Sequence, residues 1–209
     1  MQNGRAWILF DVGGVLEIVD DDAWHATLLD AWSLRAGLST ADARARLGAA
    51  ALPPLDVVTG VEPEYWQGVG RALGADVAAV ARMRAEFWDA YCGAANTELI
   101  EYARSLRERA GVAILSNSAD GAREEEERRF AFSQVFDPIC YSHEQGVRKP
   151  DPRAYELALG RMAAAPDSVL FVDDRQEAID GAARCGIRGA LHRDNATTIA
   201  TIEDFLGGP

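Results

Sequence analysis

Four short stretches of this chain place acid, hydroxyl, amide and ammonium groups directly after apolar runs or beside a restrained loop. Such positions let side chains meet a ligand at the edge of a buried sheet. The first stretch is Phe10-Asp11-Val12-Gly13-Gly14-Val15-Leu16. A carboxylate at a strand end is presented to ligand and can act as a nucleophile, and the glycines let the backbone turn tightly and come close to a metal or a phosphate. Alone, the same string also reads as a plain turn. The second, Leu115-Ser116-Asn117-Ser118, offers a hydroxyl, an amide and backbone N–H groups that can hold phosphoryl oxygens, or simply cap a helix. The third, Gly146-Val147-Arg148-Lys149-Pro150-Asp151-Pro152, sets Lys149 before two prolines that restrict the chain and prepare a helix start. The fourth, Val169 to Glu177, ends an apolar strand in Asp173 and Asp174, with Glu177 following. Adjacent carboxylates repel unless a cation is shared, and a hard metal such as Mg²⁺ suits oxygen donors.

The elements that must position these residues are legible as apolar runs. Ala6–Phe10, Val112–Leu115, Pro138–Tyr141 and Ser168–Val172 read as strands of a buried parallel sheet, with a further short strand near Gly189–His192. Helical patterns at Glu98–Ala110, Pro152–Ala163 and Ala178–Cys185 alternate with them, which predicts a doubly wound, Rossmann-like α/β fold. In such sheets ligands collect beyond the carboxyl ends of the strands. Glu17 to Ala95 breaks the rhythm: it is helical in pattern throughout, with turn signals at Leu52-Pro53-Pro54 and Val61-Glu62-Pro63. This predicts an α/β core from residues 1–16 and 96–209 and an inserted all-helical cap over 17–95. Trp24, Trp32, Trp66 and Trp88 fall in the insert and read as its core, with Trp24, His25 and Trp66 as candidates for a surface facing substrate. The run Glu124 to Arg129 reads as a solvated helix face with acid–base pairs four residues apart.

Together the four motifs, in this order, resemble those of the haloacid dehalogenase superfamily, and an insert directly after the first motif is similar to that family's first, helical cap type. The Asp-x-Gly-Gly-Val form of the first motif with Asp-Asp in the fourth is similar to members that act as glucose-1-phosphate phosphatases. The resemblance implies a magnesium-dependent phosphatase for a small phosphorylated metabolite such as a sugar or acyl phosphate. Asp11 would attack phosphorus to form an aspartyl-phosphate, Ser116 and Asn117 would bind the phosphoryl group, and Lys149 would hold nucleophile and phosphate together. Mg²⁺ would be ligated by the Asp11 carboxylate, the Gly13 carbonyl and the Asp173 carboxylate, with Asp174 and Glu177 acting through water.

One position departs from the family pattern. Most phosphatases of this superfamily carry a second aspartate two residues after the nucleophile to protonate the leaving group, and here that residue is Gly13. General acid–base help is worth roughly 10²–10⁴ in rate, so either the leaving group needs little protonation or another group supplies the proton. Glu17, Asp20 and His25 are the candidates near in sequence. The competing expectations are a phosphoryl-ligand binder or regulatory protein that lost turnover, and a 2-haloacid dehalogenase. Retention of Asp11, Lys149 and Asp173 speaks against the first, and the Asp173-Asp174 pair against the second.

Bulk properties bound the partners. A net charge of -12 opposes nucleic acid and anionic membranes, whose recognition needs Lys and Arg. The scattered Cys92, Cys140 and Cys185 form neither a disulfide framework nor metal-ligand spacing, and the first residues lack a signal-peptide layout or an apolar span, so a cytoplasmic location is expected. The scattered His25, His143 and His192 show no metal-like spacing.

Overall fold

A computed structural model describes residues 5–19 and 23–207. In chain order the elements are β1 (Trp7–Phe10), β2 (Glu17–Ile18), α1 (Trp24–Arg35), α2 (Thr40–Ala49), α3 (Glu62–Leu73), α4 (Val77–Cys92) and β3 (Ala94–Ala95). They continue with α5 (Thr97–Leu106), β4 (Gly111–Ser116), α6 (Ala122–Phe130), β5 (Ile139–Tyr141), α7 (Ser142–Gln145), α8 (Pro152–Met162), β6 (Val169–Asp173), α9 (Gln176–Arg184), β7 (Arg188–Leu191) and α10 (Asn195–Phe205).

The five-stranded parallel sheet has the order β5-β4-β1-β6-β7. Its strands read as continuous apolar runs because both faces are covered. Successive side chains alternate between two cores: Ile8, Phe10, Val112, Ile114, Leu170 and Val172 pack with α5 and α10, whereas Leu9, Ala113, Leu115, Val169 and Phe171 pack with α8 and α9. The chain leaves β1 for β4 and β5 on one side and then crosses back to β6 and β7 on the other. The carboxyl ends of β1, β4 and β6 therefore meet where the strand order reverses, the place where α/β sheets hold ligands.

Helices α1 to α4 form the insert, with a separate core of Trp32, Ala43, Trp66, Val69, Leu73 and Met83. The insert is not helical throughout as its sequence pattern predicts: Glu17–Ile18 and Ala94–Ala95 pair as a short antiparallel ladder at its root. Two chain segments that leave and re-enter the core side by side satisfy each other's backbone groups this way. Gly93 makes the approach possible. Its φ is +53°, and a Cβ there would stand 2.3 Å from the Ile18 carbonyl oxygen.

The acidic run on α6 is also not a purely solvated face. Glu125 pairs with Arg128 and Arg129, but Glu126 is fully buried and accepts a hydrogen bond from the Tyr141 hydroxyl. With acids at four consecutive positions, helical geometry turns one of them inward. Among the described residues no helix is long and apolar enough to cross a membrane.

Candidate active site

Asp11 follows β1, Ser116 ends β4, Asp173 ends β6, and Lys149 lies on the loop between α7 and α8. That loop is held by its own chemistry. Asp151 caps α8 by accepting from the Arg153 N–H at 2.8 Å, and the Asn117 side chain bridges the Lys149 backbone in both directions. Its Nδ2 donates to the Lys149 carbonyl at 2.9 Å, and its Oδ1 accepts the Lys149 N–H at 2.8 Å. Asn117 thereby fixes where the lysine starts.

The Lys149 Nζ lies 2.7 Å from Asp11 Oδ1 and 2.7 Å from Asp173 Oδ2. Asp11 Oδ1 also accepts the Val12 N–H at 2.7 Å, and Asp173 Oδ1 accepts the Arg175 N–H at 2.8 Å. All three side chains are buried. Burial alone would push Lys149 down, but the Asp11 and Asp173 carboxylates outweigh it and hold the ammonium above its ordinary value, so it stays charged. Burial, and then repulsion from Asp173, push the Asp11 carboxyl well up, against Lys149 and the Val12 N–H. One ammonium thus serves two buried carboxylates.

Carboxylate oxygens of Asp11, Asp173 and Asp174 lie within 4.8 Å of one another. A cluster of hard oxygen donors fits a divalent hard metal, so these residues could hold one.

A cleft of about 650 Å³ opens over this cluster. Its lining includes Asp11, Gly13, Ser116, Asn117, Lys149, Asp173 and Glu177, so all these residues singled out from the sequence come together. Glu177 is exposed in the first turn of α9. Of the three acid–base candidates, Glu17 and His25 line the cleft, and Asp20 lies outside the described residues. Glu17 is 1% exposed. Burial, then the Glu126 and Asp11 carboxylates, push its carboxyl up to about 10, against Arg129, so it keeps its proton at neutral pH.

Trp24 lines the cleft, but Trp66 does not: it is buried between α1, α3 and α4 against Trp32, with its indole N–H donated to Glu62. Trp32 and Trp88 are likewise interior. His143 shares a hydrogen bond with Ser118 at 2.8 Å, and His192 one with Thr198 at 2.7 Å. Burial pushes both imidazoles below their ordinary value.

Several cleft residues go unmarked in the sequence. Phe87 and Tyr91 on α4 line the cleft, as do Tyr65, Leu52 and Leu55. The i,i+4 spacing of Phe87 and Tyr91 was the available signal, since it places both on one side of the helix. Asp120 sits just beyond Ser118 and accepts the Val61 and Glu62 N–H groups at 2.7 Å each, tying the start of α3 to the core.

A family model for haloacid dehalogenase-like hydrolases matches residues 6–186. The chain belongs to that family.

Among curated proteins, the phosphorylated carbohydrates phosphatase of Thermotoga maritima is 27% identical over 101 residues, 47% of this chain and 46% of that protein. The (S)-2-haloacid dehalogenase 4A of Burkholderia cepacia is 32% identical over 75 residues, 36% of this chain and 32% of that protein. The matched stretches thus span less than half of either relative, and only 7% of the mouse acyl-CoA dehydrogenase family member 10, which is 34% identical over 74 residues, 35% of this chain. A HAD family enzyme of Bacteroides thetaiotaomicron, solved in complex with magnesium and inorganic phosphate, is similar with a TM-score of 0.72 and 19% identity, covering 91% of this chain and 95% of that one. At that identity the likeness concerns the fold.

Proposed function

We infer that this protein is a magnesium-dependent phosphatase of a small phosphorylated metabolite. The observation that carries the reading is Lys149 bridging Asp11 and Asp173, with Asp174 beside them. Asp11 Oδ1 is engaged by Lys149 and the Val12 N–H, which leaves Oδ2 to attack phosphorus. The ester P–O bond breaks, its electron pair leaves with the alcohol oxygen, and Asp11 carries the phosphoryl group. Water then attacks phosphorus, the P–O bond to Asp11 breaks, and inorganic phosphate and the free carboxylate are regenerated. The Ser116 hydroxyl holds a phosphoryl oxygen, while Asn117 keeps Lys149 in place to offset the phosphoryl charge. Mg²⁺ held by the Asp11 and Asp173 carboxylates and the Gly13 carbonyl, with Asp174 and Glu177 acting through water, would neutralise charge on the phosphoryl oxygens.

In this reading residues 17–95 act as a cap over a core made of 1–16 and 96–209. The T. maritima relative supports a phosphate ester as substrate, and the acids at 173 and 174 favour it over the haloacid chemistry of the B. cepacia relative. The free thiols fit a cytoplasmic setting. The test is phosphate release from a panel of phosphate esters and acetyl phosphate with Mg²⁺ or EDTA. The expected result is turnover that EDTA abolishes and that Asp11→Asn lowers by at least about 10³-fold. Turnover that survives both treatments would overturn the reading.

A further inference from the structure

The two halves of the cleft differ in chemistry. The core supplies its acids, hydroxyls and ammonium, whereas the insert faces it mainly with apolar and aromatic side chains. Trp24, Phe87 and Tyr91 form a contiguous aromatic wall. The Trp24 ring meets Phe87 edge-on at 5.5 Å and Tyr91 at 6.3 Å, and Phe87 stacks on Tyr91 at 5.7 Å with 29° between planes. All three are half-buried, so each keeps some surface towards the cleft. Leu55 extends the wall and is fixed by its carbonyl, which accepts the Asp120 N–H at 2.8 Å.

On the insert's side two polar groups are engaged elsewhere, and Glu17, whose Oε1 has no hydrogen-bond partner, is the buried carboxyl that remains. The Tyr91 hydroxyl accepts the Ala119 N–H at 3.2 Å, and Asp56 pairs with Arg148 at 2.7 Å. A polyhydroxylated leaving group would lose water here without finding a partner for each hydroxyl, which is penalised. A flat aromatic ring would instead gain edge and stacking contacts.

The floor of the cleft adds an independent constraint. At Gly13 an added Cβ would meet nothing within 4 Å, so there is room for an acid two residues after Asp11 but none stands at that position. A phenol ionises near a pKa of about 10, as tyrosine does, and its oxygen can depart without a proton donor; an alkoxide cannot do so readily.

We propose that the substrate is an aryl phosphate monoester, its ring seated against Trp24, Phe87 and Tyr91 and its phosphoryl group at Asp11. This rests on the phosphatase reading and specifies its leaving group. Asp11 forms the bond to phosphorus, the aryl P–O bond breaks, and the phenolate takes its proton from water.

The experiment compares kcat/KM for phenyl phosphate, benzyl phosphate, glucose 6-phosphate and acetyl phosphate in the wild type, Trp24→Ala and Phe87→Leu. The expected order is phenyl above benzyl, which reads the leaving group, and benzyl above glucose 6-phosphate, which reads the wall. Trp24→Ala lowers the preference for benzyl over acetyl phosphate about tenfold, through KM, the scale of a lost apolar contact. Phe87→Leu lowers it in the same direction and stands in where Trp24→Ala does not fold. Glucose 6-phosphate outperforming benzyl phosphate, or wall variants that slow all four substrates equally, would overturn the proposal while leaving the phosphatase reading intact. No phosphate release from any substrate, acetyl phosphate included, would overturn both.

Discussion

Gly13 and Glu126 each show what one side chain decides. At Gly13 the backbone has an ordinary negative φ and the space for a side chain is open. Gly13→Asp is therefore expected to fold and to place a carboxyl near the leaving oxygen. Turnover of alkyl phosphates should rise by about 10-fold or more, with a smaller effect on aryl phosphates, because only the poorer leaving group needs the proton. Equal effects on both would mean that protonation does not limit the wild type. Glu126 is buried on α6, its Oε1 has no hydrogen-bond partner, and burial pushes its carboxyl up to about 8 against the Tyr141 hydroxyl and Arg123. The sign follows from proton binding. Above the ordinary glutamate value near 4.5 the unfolded chain releases this proton while the folded protein keeps it. The contribution of Glu126 to stability therefore falls as pH rises from about 4.5 to about 8 and levels off above that. Glu126→Gln retains an acceptor for Tyr141 and cannot ionise. It should raise Tm at pH 8–9 and have little effect at pH 4–5, with each kcal/mol worth about 2–4 °C in a chain of this size. A variant less stable than wild type at pH 9 would contradict this.

Among the elements, α4 ties the insert to the core through the Asp89–Arg129 pair and the packing of Trp88 on Ala119 and Ala122, and α3 does so at its start. Its first N–H groups, from Val61 and Glu62, donate to Asp120 on the core, and Leu55 in the preceding loop is fixed by the Asp120 N–H. Helix N-termini need such acceptors. Asp120→Ala should cost about 1–2 kcal/mol, seen as a lower Tm, and raise KM more than it lowers kcat, since the wall containing Leu55 loosens while Asp11 and Lys149 are untouched. An unchanged KM would show that this contact does not shape the cleft. The strands were legible because those buried on both faces leave uninterrupted apolar runs, and three of the runs, those of β1, β4 and β6, lead into the candidate residues Asp11, Ser116 and Asp173. The β2–β3 pair was not, because two-residue strands such as Glu17–Ile18 carry no periodicity. The roles of Phe87 and Trp66 could not be separated either. An aromatic residue on an amphipathic helix has the same spacing whether it faces a core or a cleft.

At the scale of the whole molecule, an acidic protein brings one buried ammonium and several carboxylates together at one point. The chain carries a net charge of -12, yet Lys149 is buried between two acids at the switch of strand order, and a cleft lined by the insert covers them. The order of the motifs along the chain carried the candidate site, since strand ends and loops far apart in sequence meet beyond the carboxyl edge of a doubly wound sheet. The buried carboxyl of Glu126 and the aromatic wall required tertiary packing to see. The role of Asp11 as nucleophile is tested most directly by rapid acid quench of the enzyme during turnover of phenyl phosphate with Mg²⁺, followed by peptide mass spectrometry. The expected result is one phosphoryl group on the peptide containing Asp11, absent in Asp11→Asn. Steady turnover with no phosphoryl adduct, retained by Asp11→Asn, would contradict it.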